Sequence, residues 1–174
     1  MLFRSLSNRL RLDDGYYGHA KSFEAVSRTM SFGHGQGLPG GVWAANTPIL
    51  LRDLGSAGAF LRSKAASESG LKTGLGLPVP VPGYARYVLT LLSAPRTPIA
   101  RRFELWDARA QRVGSTRRAI LIDGICQREG PLWSKQNPPV DPVSVGAWEG
   151  PVGRVLGSGL PHRSEEHTSE LQSH

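Results

Sequence analysis

The alternation of apolar and polar residues predicts short strands and helices in mixed order over the first half of the chain. Residues 8–12 alternate as a strand does, and the Asp14-Gly15 pair is a turn signal. Residues 23–30 fit a short helix with Phe23, Val26 and Met30 on one side. A second helix is predicted to begin near Pro39, because the first helical turn tolerates proline.

The following segment predicts a strand, a helix and a hairpin. Residues 49–51 form a short apolar run, and residues 59–69 are the clearest helix, ended by Gly70. Residues 71–81 and 84–93 form two runs joined by Pro82-Gly83, which favours a hairpin. The continuous apolar stretch 89–92 indicates a central, buried strand, whereas Pro78 places the preceding run at an edge or in partial pairing.

Farther along, residues 102–107 and 118–126 predict an antiparallel strand pair, and residues 131–142 a proline-rich loop. Strands joined by hairpins and mixed with helices indicate the α+β class, with an antiparallel sheet flanked by helices.

An internal repeat divides the chain. Gly37, Gly40, Val42 and Pro48 are echoed by Gly150, Gly153, Val155 and Pro161 at an offset of 113 residues, and Asp14-Gly15 is echoed by Asp123-Gly124 at an offset of 109. This spacing suggests two copies of a domain of about 110 residues. We assign residues 1–94 to a domain that lacks its first strand and residues 95–162 to the N-terminal half of a second.

Residues 163–174 are interpreted as non-native. The run RSEEHTSELQSH has no apolar period and resembles, residue for residue, the conceptual translation of a sequencing-library adapter. His167 and His174 are therefore not considered as ligands. We expect that the native protein has residues before Met1. Beyond His162 we expect it to continue with residues other than those given.

Composition narrows the classes of protein. The formal net charge is +7, yet the basic residues are pairs and scattered singles such as Arg52, Arg62 and Lys64, which we expect on a solvated surface. One cysteine, Cys126, excludes an internal disulfide and a cysteine-based zinc site. No apolar run is long enough to span a membrane, so a cytoplasmic protein without a membrane partner is expected.

Several motifs together resemble the GAF family of small sensory domains. The matching segments lie within residues 20–93 and run in the family's order: a glycine-initiated helix, a short strand with an aspartate, a helix, and a glycine-rich stretch ending in Pro-Val. They are Gly35 to Trp43, Asn46-Thr47-Pro48, Leu51 to Leu54, Phe60-Leu61-Arg62, Ala65-Ala66 and Gly70 to Val79. Residues 101–161 resemble the first half of another such domain.

The resemblance implies a signal-transduction function. GAF domains bind a small molecule between sheet and helices or form dimers, and they regulate an attached kinase, cyclase or transcription module, none of which is visible in this sequence. By position in the family pattern, the ligand-binding candidates are Trp43, Leu51, Asp53, Phe60 and Leu75. The same residues also fit a plain hydrophobic core, with Asp53 as a helix cap. We expect no catalysis, no metal and no cofactor.

Two other functions remain as alternatives. A basic nucleic-acid-binding fragment fits the charge, but no stripe of cations with interleaved aromatic residues supports it. A small-molecule reductase on the same scaffold would depend on Cys126, because the cysteines of the family's reductase and bilin-binding branches have no counterpart here. Gly35 to Gly40 match G-x-G-x-x-G, but the preceding residues do not form a buried strand, which argues against a dinucleotide site.

Overall fold

The computed structural model describes residues 1–55, 58, 60–83, 85–113, 116–134 and 136–163. The chain divides into two compact units, Met1–Leu105 with Asp123–Ser134, and Trp106–Ile122 with Lys135–His174. Its strands are β1 Leu2–Leu6, β2 Arg9–Asp14, β3 Ser31–Gly33, β4 Ile49–Leu51, β5 Thr73–Val79, β6 Tyr87–Ser93, β7 Arg102–Val113, β8 Thr116–Cys126, β9 Gly130–Pro131 and β10 Ser144–Gly146. Its helices are α1 Lys21–Thr29, α2 Gly37–Ala45, α3 Ser63–Glu68 and α4 Gly150–Ser158.

The first unit contains a six-stranded sheet in the order β3-β2-β1-β6-β5-β4. The recorded pairings within it are all antiparallel, including β1 with β6, where Leu2 lies opposite Leu89. Together with α1, α2 and α3 this sheet confirms the predicted α+β class. The sequence pattern predicted one strand at residues 8–12, whereas β1 and β2 form a hairpin there, and β1 lies at the centre of the sheet.

Helix α2 packs closely on the sheet because β5 carries glycines beneath it. A Cβ atom on Gly76 would lie 2.6 Å from Val42 Cγ2, and one on Gly74 would lie 2.9 Å from Leu54 Cδ2. Leu38, Val42 and Leu54 can therefore reach the sheet and are almost completely buried. Such burial of branched side chains stabilises the unit by roughly 1.5–3 kcal/mol per residue.

Helix α1 packs against α3 and β2. Phe23 and Ser27, four residues apart, are its buried positions, and Ser27 donates a 2.6 Å hydrogen bond to the Phe23 carbonyl. Val26, which the sequence pattern placed on the buried side, is 38% exposed. A stripe through residues 23 and 27 is set by the position of the helix on the sheet, which the local pattern does not contain.

The second sheet has the order β10-β8-β7, with β9 also paired to β8. Its β8–β10 register reproduces that of β2 and β3. Arg9 lies opposite Gly33, and Arg118 lies opposite Gly146, so the two offsets of 109 and 113 residues recur in strand pairing. The two echoes found in sequence thus correspond to equivalent backbone structure.

Side chains repeat this equivalence. Arg9 donates through Nη2 to the Ser31 carbonyl at 2.9 Å, and Arg118 donates through Nη2 to the Ser144 carbonyl at 3.1 Å. In the following loops, Gln36 Oε1 accepts from the Gly33 N–H at 3.0 Å, as a carboxylate oxygen of the aligned Glu149 does from Gly146 at 2.7 Å.

Compact units and predicted domains do not share boundaries. Both β7 and β8 contribute residues to each unit, so the division does not fall at residue 94. The assignment of residues 95–162 to half of a second domain stays a prediction. Residues 164–174 of the proposed adapter tail lie outside the described residues.

Candidate functional site

A groove of about 740 Å³ lies on the first unit beside α1. The loop that leads into α1 forms one wall, and the end of β6 with the segment after it forms another. Its lining residues are Met1, Tyr16, Tyr17, Gly18, His19, Ala20, Lys21, Ser22, Phe23, Glu68, Ser69, Leu71, Thr90, Leu91, Leu92, Ala94, Thr97 and Ile99. The volume is in the range that takes a small organic molecule.

A buried arginine lies behind one wall of this groove. Arg62 is 2% exposed, and the centre of its guanidinium lies 4.6 Å from the centroid of the Phe23 ring, which lines the groove. Its Nη1 donates to Ser27 Oγ at 2.6 Å and lies 3.7 Å from the sulfur of Met1, another lining residue. Three more rings surround the cation, at 5.2–5.6 Å: Phe3, Phe32 and Phe60.

Polar atoms without partners lie at the groove and behind its wall. Among the described residues, Arg62 Nε, Arg62 Nη2 and Thr90 Oγ1 are buried and have no hydrogen-bond partner. The Tyr17 hydroxyl also lacks a hydrogen bond of ordinary geometry, although it lies close enough to the Ser27 hydroxyl for the two groups to interact. Leaving such groups unpaired costs about 1–3 kcal/mol each, so a native protein keeps them for a reason.

The electrostatics follow from burial. Removal from water lowers the pKa of Arg62 to about 10, and Tyr17 acts in the opposite direction. Burial likewise raises the pKa of Tyr17, although Ser27 and Arg62 act in the other direction. Both shifts arise because these groups are less solvated when charged than they are in water. Arg62 is therefore a cation in an apolar surrounding, held by rings and a single hydroxyl.

The structure does not bring the five sequence-predicted ligand residues into one cavity. Phe60 is 2% exposed and stacks on Phe23 with centroids 6.4 Å apart, so it lies behind the groove wall. Leu51 packs against the main core, and Leu75 against a separate cluster that contains Leu50 and Phe103. Their role in ligand binding stays a prediction.

Trp43 and Asp53 lie elsewhere. Trp43 lines a smaller depression of about 360 Å³ with Arg86 and Tyr87, and its ring meets His34 edge-on at 5.2 Å. Asp53 is exposed, and its Oδ1 accepts a 2.9 Å hydrogen bond from the Gly55 N–H. That contact closes a turn rather than capping a helix.

Replacing Asp53 with alanine is therefore expected to lower the free energy of unfolding by about 0.5–1 kcal/mol, the net value of one exposed hydrogen bond. Asp53→Asn keeps an acceptor and should restore most of the loss. Thermal unfolding of the three proteins measures both effects. A ligand whose affinity falls tenfold in Asp53→Asn, with unchanged unfolding, would instead favour a binding role for this carboxylate.

Two arginines expected on a solvated surface are shielded from solvent. Arg62 is buried, and Arg52 is partly buried, with a side chain that is 10% exposed and pairs with Asp123. Arg62 follows Phe60 and Leu61, and nothing in that local sequence distinguishes a buried cation from an exposed one. The four phenylalanines around it come from separate parts of the chain, so only the fold reveals the site.

The glycines of the G-x-G-x-x-G match have structural explanations. Gly35 and Gly37 adopt φ angles of +79° and +59°, where a side chain is strained. Gly40 lies so close to the Gly33 carbonyl that an added Cβ would be 2.1 Å from its oxygen. In the repeat, Trp148 takes the place of Gly35 at φ +75°. The glycines of this motif allow the chain to reverse its direction at the start of α2.

Comparison with known proteins gives structural matches alone. No family model matches the sequence. No curated protein matches it either. Among solved structures, the chain is similar to the nlh2 GAF domain of A. aeolicus in an inactive state, with 19% identity and a TM-score of 0.43 over 53% of this chain and 55% of that one.

A second similar structure is the free methionine-R-sulfoxide reductase of Neisseria meningitidis in complex with its substrate. It shares 18% identity and has a TM-score of 0.38 over 53% of this chain and 49% of that one. The chain thus spans about half the length of both structures. The likeness concerns the fold of that part of each chain.

None of the helices in the described part of the chain is both long and apolar enough to cross a membrane. Within the same residues, no three side chains of histidine, cysteine, aspartate or glutamate cluster as metal ligands would.

Proposed function

We propose that the first unit is a sensory or regulatory GAF-like domain that binds a small molecule in the groove beside α1 and has no catalysis of its own. The observation that carries this proposal is the coincidence of a groove of about 740 Å³ with unpartnered buried polar atoms at its wall. A ligand that supplies those partners would gain affinity, because the polar groups are already desolvated and fixed in place.

Regulation rather than chemistry fits the side chains at the groove. Cys126, the chain's single cysteine, does not line it. His19, Lys21 and Glu68 lie at the groove, and no recorded hydrogen bond among its described lining residues joins a histidine side chain to a hydroxyl group. We infer a domain that reports occupancy to an attached output module, such as a kinase, a cyclase or a transcription module, with dimer formation as a further route.

Transmission would run through α1 and the loop before it. Residues Tyr16 to Ala20 and the first turn of α1 line the groove, and the buried face of α1 contacts Arg62 through Phe23 and Ser27. A molecule bound there touches both the loop and the helix. If the molecule binds more tightly to one position of this segment than to another, the difference in binding free energy would shift the segment between the two positions.

Filling the groove provides the test. Ser22 lies on α1 and lines the groove, whereas Ala25 is exposed on the same helix and does not line it. In a thermal-shift screen of small metabolites on the full chain, with calorimetry on the hits, we expect a ligand that stabilises the unaltered protein. Its effect should disappear in Ser22→Trp and persist in the matched control Ala25→Trp. Binding that survives Ser22→Trp would exclude the groove as the site.

A further inference from the structure

We propose that the ligand of this groove carries a carboxylate, and that its two oxygens bind the Nε–Nη2 edge of Arg62, with Tyr17 and Thr90 as further contacts. The inference rests on the proposed function, since it names the chemical class of molecule that the groove takes. It is carried by the state of the Arg62 guanidinium, the use of the same edge by other arginines, and the placement of the two hydroxyls.

Only some of the hydrogen-bond donors of the Arg62 guanidinium have partners. Nη1 donates to Ser27, while Nε and Nη2 have no hydrogen-bond partner among the described residues. The contacts with the surrounding rings compensate part of the lost hydration through cation–π attraction. They leave unsatisfied the two in-plane donors, whose N–H bonds point along one edge of the group and are parallel to each other.

That edge takes a carboxylate elsewhere in this chain. Arg109 donates through Nε and Nη2 to the two oxygens of Asp107, at 3.0 and 2.8 Å. Arg28 donates through the same two nitrogens to one oxygen of Glu24, at 3.0 and 2.7 Å, and Arg52 donates through them to one oxygen of Asp123. Arg62 differs because none of the described carboxylates pairs with it. A carboxylate from outside the chain matches the vacant donors in spacing and charge.

Two hydroxyls lie at the groove, that of Tyr17 in the loop before α1 and that of Thr90 on β6. Thr90 and Tyr17 both line the groove, and the buried oxygens of both lack hydrogen-bond partners among the described residues. A carboxylate at Arg62 leaves lone pairs that hydroxyl groups can satisfy. The two free donors of Arg62 are the proposed carboxylate site, and the hydroxyls of Tyr17 and Thr90 are the proposed further contacts of the same ligand.

A planar carboxylate fits better than a tetrahedral dianion. The described cations around the groove are the buried Arg62 guanidinium, the partly buried Met1 ammonium, which donates to the Thr90 carbonyl at 3.0 Å, and Lys21, whose ammonium lies at the surface, 3.3 Å from Glu24. Of these, Arg62 alone has a planar two-donor edge, which matches the two oxygens of a carboxylate, whereas phosphate sites usually combine several donors from helix termini and side chains. The phenylalanine rings beside the guanidinium also favour an organic acid over a hydrated ion.

Reaching Arg62 requires a movement of the wall. Because the residue is 2% exposed, a ligand contacts its free edge only if the side chains that cover it shift. The loop that contains Tyr17 lines the groove, and it is the segment that we propose to move. The backbone of this loop includes Gly18 at φ +52° and is held by a 2.9 Å bond from Ala20 N–H to the Tyr17 carbonyl. Occupancy of the site and position of the loop would therefore be coupled.

Calorimetry and thermal unfolding of the full chain test the proposal with sodium propionate, succinate and benzoate as probes. Sodium phosphate and sulfate at equal ionic strength serve as comparison anions. We expect at least one carboxylate to raise the melting temperature with saturation, and the two inorganic anions to have no saturable effect. Arg62→Met should abolish the carboxylate shift, and Arg62→Lys should weaken binding at least tenfold, because an ammonium lacks the two-donor edge. Arg28→Met, an exposed arginine of α1, is the matched control and should bind normally.

Should Arg62→Met fail to fold, Thr90→Val and Tyr17→Phe keep the fold while removing one hydroxyl each, and both should weaken the carboxylate several-fold. Saturable stabilisation by phosphate alone would overturn the proposal. Carboxylate binding that Arg62→Met leaves unchanged would also overturn it, and so would a failure of all three acids to bind. A neutral ligand that Ser22→Trp displaces and Arg62→Met does not would also overturn it, while leaving the groove as a small-molecule site.

Discussion

Replacing Gly40 with alanine is expected to lower the free energy of unfolding by about 3 kcal/mol or more, at the upper end of overpacking effects. The added Cβ would lie 2.1 Å from the Gly33 carbonyl oxygen, a backbone atom that cannot turn aside. The Gly35 N–H also donates to the Gly40 carbonyl at 2.8 Å, so a shift of α2 breaks the loop before it. We expect the melting temperature to fall by about 10 °C.

Gly41→Ala is the matched control. It lies next to Gly40 in α2, and its Cβ would meet only the tip of Ile49, at 3.3 Å. Alanine there should be neutral or stabilising by up to about 1 kcal/mol, because it favours helix over glycine. Equal melting temperatures for the two variants would contradict the close approach. Gly153→Ala probes the repeat, where the corresponding distance to the Gly146 oxygen is 2.3 Å.

Removal of the Asp123 carboxylate is expected to cost about 3 kcal/mol, the lower end of values for breaking a buried ion pair. Arg52 Nε donates to it at 2.7 Å, and the guanidinium also lies 5.9 Å from the Trp133 ring centroid. With side chains 10% and 18% exposed, neither partner is well solvated once the other is gone. Asp123→Ala would leave the charge of Arg52 without its partner. Chemical unfolding with urea measures the resulting loss in the free energy of unfolding.

The repeat offers a control for Asp123. Asp14, its counterpart in the first hairpin, makes the same bond to the next glycine N–H at 2.7 Å, but it is exposed and no described ion pair involves it. Asp14→Ala should cost less than about 1 kcal/mol. The double variant Arg52→Met with Asp123→Ala should be more stable than Asp123→Ala alone, since no buried charge is left unpaired. If the double variant is the weaker one, the pair does not act through charge.

Local sequence was a good guide where a segment's own pattern determines its structure. The helices near residues 23–30 and 39–45, the strand at 49–51 and the buried strand at 89–92 are all present. Pro78 pairs with β6, and the recorded β4 partners of β5 stop at Gly76, which agrees with the predicted partial pairing. The helix predicted at 59–69 is shorter, because α3 begins only at Ser63.

Strands whose partners are distant were missed. β1 is five residues long and contains Arg4 and Ser5, so its pattern is too short to predict a strand. It is fixed by pairing with β6, where Phe3 lies opposite Val88. β3, at Ser31–Gly33, depends in the same way on β2.

By itself, the sequence determined the α+β class, the repeat with its two offsets, and the glycines that reverse the chain before α2, because each is written in neighbouring residues or in spacing. The tertiary structure decided which charges are buried. In the sequence, nothing distinguishes Arg62 from a surface cation. The fold places four phenylalanines around it and leaves one edge of its guanidinium without a hydrogen-bond partner. Burial and hydrogen-bond satisfaction depend on residues far apart in the chain, and therefore only folding defines this site.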